Sequence, residues 1–175
     1  MSKVSLLAPV PLEHLIEGVE VCEKQGKVAF GSCAWEVFRD LDMKAKRDCN
    51  DALFDVDVFI YASGDPNAER LEVSWYGKYI RHVESKNGTH PEGMRFRPPS
   101  TGKYSSDNSG HWAIFWEIQQ LRQLKQDERY PSGAFIGYTT DKAYKKNFIP
   151  KGPLLVRRPI EQSDPVDSKP ASLSI

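Results

Sequence analysis

Glu117 has the most suggestive setting in the chain. From Trp112 onward, large residues alternate with the two-residue period of a strand: Trp112, Ile114, Trp116 and Ile118 on one face, Ala113, Phe115 and Glu117 on the other. A carboxylate buried in that company would have a raised pKa and could serve as a general acid or base, whereas at a strand edge facing water it would be an ordinary solvated group. Trp112 and Trp116 suit either core packing or an aromatic cage for a methylated base. Charge is patterned as well. Lys142, Lys145, Lys146, Lys151, Arg157 and Arg158 have no acid among them, while Lys78, Arg81, Lys86, Arg95, Arg97 and Lys103 face only Glu84 and Glu92. With Phe96, Tyr104, Tyr144 and Phe148 interleaved, these stretches have the composition of a single-stranded nucleic-acid groove, and Arg95, Arg97, Lys145 and Lys146 are its candidate contacts. Their alternative is a pair of ordinary solvated faces.

Other chemistry is poorly supported. Cys22, Cys33 and Cys49 form no Cys-x-x-Cys pair, so zinc ribbons and dithiol redox sites lose their basis, and Cys22 and Cys33 read as core thiols. His14, His82, His90 and His111 are scattered. No Gly-x-Ser-x-Gly, Gly-x4-Gly-Lys-Ser/Thr or Gly-x-Gly-x-x-Gly motif is present, which removes lipase-type triads, phosphate loops and dinucleotide folds. The seven acids from Glu36 to Asp57 lack the spacing of an EF-hand loop and read as a solvated face. No cofactor is called for.

The chain has 175 residues, 24 Lys+Arg against 24 Asp+Glu, and 39% hydrophobic residues, enough for one core without disulfide or metal staples. Zero net charge excludes a uniformly basic nucleic-acid binder but leaves a local basic face open. The longest apolar run, Val58 to Ala62, is too short to cross a membrane. The expectation is a soluble, cytoplasmic protein, with one domain over 1–160 and a disordered polar tail over 161–175. Its oligomeric state is not legible.

Several elements should position these residues. Leu12, Leu15, Ile16, Val19 and Cys22 recur at helical spacing between Pro11 and Gly26. Lys27 to Gly31 reads as a short strand, and Ser32 as the N-cap of a short helix with Trp35, Phe38 and Leu41 on one edge. Asp55 to Ser63 alternates as a strand, and Leu71 to Val83 continues as one strand or two bent at Gly77. Residues 85–110 are rich in loop formers, and a loop that long is usually functional or mobile. His111 to Leu124, Ala134 to Tyr138 and Leu154 to Val156 are further strands, with a helical turn between Thr140 and Asn147. The order predicts an α+β fold: a small, mainly antiparallel, curved sheet or barrel with an N-terminal helix and short peripheral helices.

Three segments carry a resemblance: Lys27-Val-Ala-Phe-Gly-Ser-Cys-Ala-Trp35, a strand turning into a helix with a Trp at the turn; Asp55-Val-Asp-Val-Phe-Ile-Tyr-Ala-Ser63; and Leu71 to Val83 with its central Gly. Together they resemble the PUA-like superfamily of small β-barrels, which includes PUA, ASCH, EVE and YTH domains. Val56-Asp57 stands where those families place Gly-Asp, and the segment from Trp112 to Pro159 has only a loose counterpart. The resemblance implies binding of RNA, DNA or an unusual nucleobase between the early strand–helix turn and the barrel wall, with Gly31, Ser32, Trp35 and Tyr61 as site residues. Its alternatives are a small hydrolase acting on a nucleotide or nucleoside, using Lys27, Glu36, Glu72 or Glu117, and a protein-interaction domain that docks a partner through residues 85–110.

Overall fold

The computed structural model describes residues 4–49, 55–68, 70–157 and 159; the expected tail at 161–175 lies outside them. It is an α+β fold with a six-stranded mixed sheet. Strand β1 (Val4–Pro11) leads into helix α1 (Leu12–Gln25), β2 (Val28–Ser32), helix α2 (Trp35–Cys49) and β3 (Asp57–Ser63). Then follow β4 (Glu72–Val73), β5 (Trp75–Glu84), β6 (Ile114–Gln123), β7 (Tyr130–Pro131) and β8 (Leu154–Arg157). The main sheet runs β2-β6-β5-β3-β1-β8, and β4 and β7 form a separate two-stranded ladder. Every neighbouring pair in the main sheet is antiparallel except β1 and β3.

Strand β1 is the element the alternation rule does not find. It is buried on both faces, so its sequence Val-Ser-Leu-Leu-Ala-Pro-Val-Pro shows no polar face, as expected of a strand covered on two sides. Pro9 and Pro11 are tolerated because β8 pairs only with Val4 to Leu7, leaving that side of β1 without a ladder beyond Leu7. Helix α1 starts after Pro11 and stops at Gly26, whose left-handed φ of 82° lets its N–H reach Cys22 O at 2.9 Å. Helix α2 runs to Cys49, longer than the expected short helix, and it begins at Trp35; Ser32 Oγ accepts instead from the Ala34 N–H at 3.0 Å in a local turn.

Both helices cover one face of the sheet. Leu6, Ala8, Val28, Phe30, Val58, Ile60, Tyr79, Trp116 and Ile118 pack there against Leu15, Cys22, Phe38, Leu41 and Ala45. The opposite face is covered by irregular chain at each end. Phe96 packs on Ala29 and Phe115 at the β2/β6 end, whereas Phe135, with Tyr144 and Phe148, packs on Leu7, Phe59 and Val156 at the β3/β1/β8 end. Residues 85–113 are therefore a structural layer.

Four expectations are corrected here. The break in the long strand falls at Ser74, while Gly77 sits at a register shift within β5. Residues 134–138 form only isolated bridges after a 3-10 turn, and 140–147 is no helical turn: Asp141 has φ of 54°, and Tyr144 N–H bonds Phe135 O. The sheet is also not a closed barrel. It curls, because Pro9 and Val10 of β1 and Phe30 and Gly31 of β2 line one cleft although β6, β5 and β3 lie between those strands in the ladder. The seam stays open because the outer edge of β2 is capped by Phe96 and Arg97 instead of a strand.

Candidate binding cleft

That seam holds a cleft of about 470 Å³. Its walls are aromatic. Phe30 and Trp116 reach it from the helix-covered face, their ring centroids 5.1 Å apart, and Trp112 reaches it from the loop-covered face. Trp112 and Trp116 thus lie on opposite sides of the sheet, because Ala113 is irregular: its N–H bonds Ser32 O while its carbonyl accepts from Ser85 N–H. The indole Nε1 of Trp112 is buried without a hydrogen-bond partner among the described residues.

The polar edge comes from α1 and the loop. His14, buried one turn into α1, has Nδ1 hydrogen-bonded with Ser100 Oγ at 2.7 Å and Nε2 3.6 Å from Asp107 Oδ2. Burial lowers the His14 pKa, against the opposing pull of Glu13 and Asp107. Tyr104 donates to Glu13 at the rim, which lowers the Glu13 pKa and raises that of Tyr104. Ser100 is only 2% exposed, so the Ser100–His14–Asp107 row lacks an accessible nucleophile.

Arg97 lines the cleft but acts inward. At 2% exposure it donates to Ala29 O (2.9 Å), Asn108 Oδ1 (2.9 Å) and Asp107 O (3.1 Å), and its guanidinium lies over Phe115. Burial brings its pKa down to about 10, with Asp107 opposing, and it stays charged at neutral pH. Its donors are spent on holding residues 107 and 108 against β2, so it fastens the wall of the cleft.

The other anticipated residues disperse. Gly31 lines the cleft, and Ser32 is buried beside it in its turn. Trp35 is 45% exposed on α2 with Arg39 stacked 4.9 Å from its ring, outside the cleft lining. Tyr61 belongs to a separate polar pocket of about 400 Å³ with Asp65, Arg70, Glu72 and Arg129. Arg95 lies over Phe96 and pairs with Glu92 and Gln25 on the surface. Lys145 borders an open apolar hollow with Tyr144, Phe148 and Ile149, and the Lys146 backbone packs on Gly133. His14 and Asp107 were not anticipated, and Tyr104 only as an aromatic interleaved in a basic stretch; the His14–Ser100 bond spans 86 positions, and no local spacing announces it.

Glu117 is also corrected. It is fully buried, opposite Ala29, yet its pKa falls to about 2: burial would raise it, but hydrogen bonds from His90, Lys27 and Arg81 outweigh that. Lys27 Nζ lies 2.8 Å and Arg81 Nε 3.1 Å from Oε2, and His90 Nε2 lies 3.2 Å from Oε1. His90 Nδ1 accepts from the Glu92 N–H, so Nε2 carries the proton given to Glu117. A carboxylate held ionised in this way is a structural anchor between β6 and the loop. Of the proposed hydrolytic groups only Lys27 and Glu117 meet, as an ion pair, while Glu72 meets Arg129 and Glu36 sits in the first turn of α2.

Among the described residues no cluster of three or more His, Cys, Asp or Glu is placed to hold a metal ion, and no helix is long and apolar enough to cross a membrane. No family model, curated protein or solved structure matches the chain.

Proposed function

We propose that this chain is a PUA-like binding module that takes a nucleobase or modified base, free or displayed by single-stranded RNA or DNA, into the seam cleft. The observation that supports this reading is the cleft itself, lined by the partly buried Trp112 together with the core rings of Phe30 and Trp116, and by His14 and Asp107 at a polar edge. A planar heterocycle uses both, stacking on the rings and hydrogen-bonding at its rim. The charged groups lining the cleft are Glu13 and Asp107 against Arg97, one net negative charge beside a His14 that burial keeps neutral, so the site favours the base over the phosphate backbone.

Isothermal titration of the chain with nucleosides and short single-stranded oligonucleotides, at two salt concentrations, tests this. Binding that Trp112→Leu weakens by roughly tenfold, and that changes little with salt because few phosphates are neutralised, is the expected result. Failure of every nucleoside and oligonucleotide to bind, or binding that Trp112→Leu leaves unchanged, ends the reading.

A further inference from the structure

The main chain of β2 supplies the cleft with hydrogen-bonding groups that the fold leaves unused. Ala29 directs its amide away from β6: its N–H donates to Phe96 O at 2.8 Å, and its carbonyl accepts from Arg97 Nη1 at 2.9 Å. Ser32, by contrast, turns its carbonyl toward the β6 side, where it accepts from Ala113 N–H at 3.1 Å, consistent with even-numbered residues of β2 pairing with β6. Residues two apart in a strand point their main-chain groups the same way, so Gly31, like Ala29, aims its N–H and C=O off the open edge of the sheet. Among the described residues no hydrogen bond from outside the β2–β6 ladder reaches either group, and Gly31 lines the cleft.

The size of this opening restricts its occupant. A peptide strand added to a sheet edge needs several successive outward residues. Here Ala29 is already capped and β2 ends at Ser32, so one donor and one acceptor, side by side, are all that remain. They open between the ring of Trp112, which occupies the space above Gly31, and the polar edge at His14 and Asp107.

We propose that the Gly31 N–H and C=O read the edge of the bound heterocycle, so that the ligand must present an adjacent hydrogen-bond donor and acceptor: a lactam edge, as in uracil or hypoxanthine, or an amidine edge, as in adenine. This rests on the cleft taking a planar heterocycle. Alkylation of the donor nitrogen removes the match, leaves the Gly31 carbonyl unpaired and introduces bulk at the strand edge. Methylation elsewhere on the ring leaves both hydrogen bonds in place.

Competition binding with the intact chain tests this, using uridine, 3-methyluridine and 5-methyluridine, and adenosine with N6,N6-dimethyladenosine. The expected result is at least fivefold weaker binding of 3-methyluridine than uridine, of N6,N6-dimethyladenosine than adenosine, or of both. 5-Methyluridine should stay within about twofold of uridine, since its methyl group lies off the paired edge. In amide NMR spectra the Gly31 proton should move downfield with the nucleoside that binds and not with its alkylated partner. Equal affinity within both pairs overturns the edge-reading role while leaving a stacking cleft intact. Binding of none of the five overturns both.

Discussion

A side chain on Gly31 would collide with Trp112: a Cβ built there falls 2.3 Å from Trp112 Cδ1. The indole can lie against the edge of β2 only because position 31 carries no side chain. Gly31→Ala should push the ring out of place, costing about 1–3 kcal/mol of stability through overpacking. Nucleoside binding should fall by at least tenfold, more than that loss of stability alone would produce in a chain still folded. Thermal unfolding and titration calorimetry on the same preparation separate the two effects.

Arg97 should behave as a fastening residue. Arg97→Ala leaves the Ala29 carbonyl and the Asn108 side chain without their buried donor, a loss of about 2–4 kcal/mol. Hydrogen exchange should quicken at Ala29 and across residues 94–110, while β3 and β8 keep their protection. Uniform acceleration over the whole chain would mean that Arg97 has no local role.

Acid should erode stability in two windows. His14 has a lowered folded pKa, so its contribution is complete above its unfolded value near 6.5 and diminishes as pH falls below it. Glu117 has a folded pKa of about 2 against 4.5 unfolded, so its contribution is present above 4.5 and is lost as pH falls toward 2, on the order of 3 kcal/mol in all. Urea midpoints at pH 7.5, 5.5 and 3.5 should fall in that order. His14→Gln should flatten the upper step and Glu117→Gln the lower one.

Glu117→Gln should also destabilise at neutral pH by about 1–3 kcal/mol, because the charge-assisted hydrogen bonds from Lys27 and Arg81 to the buried carboxylate are lost. If Glu117 were a catalytic acid, the variant would keep its stability and lose an activity instead.

The dispersed candidates give the matching negative prediction. Trp35→Ala, Tyr61→Phe and the double change Lys145→Ala/Lys146→Ala should leave nucleoside affinity within about twofold, since none of these residues lines the cleft. Calorimetry checks each variant, and a tenfold loss in any one would move the site.

The sequence made the helix-covered core legible, because α1, β2, β3 and β6 each bury residues at their own period: Leu15 and Cys22, Val28 and Phe30, Val58 and Ile60, Trp116 and Ile118. It concealed β1, whose burial on both faces erases alternation, and it misled at Trp112, where one irregular residue at Ala113 reverses the face. Glu117 was recognisable as a carboxylate among large apolar residues. Its ionisation depends on Lys27, Arg81 and His90, which only the folded sheet and loop bring to it. Half of the cleft was visible in Gly31 and Arg97. The other half, His14 and Asp107, comes from opposite ends of the fold and leaves no pattern in either neighbourhood.

Chemical-shift mapping during titration with uridine and adenosine tests base binding at the seam most directly. The Trp112 indole and the Gly31, His14 and Asp107 amides should shift together with one saturation curve, while those of Tyr61 and Lys145 stay in place. Shifts confined to the Tyr61 pocket or the Lys145 hollow, or a spectrum unchanged at saturating nucleoside, would contradict it.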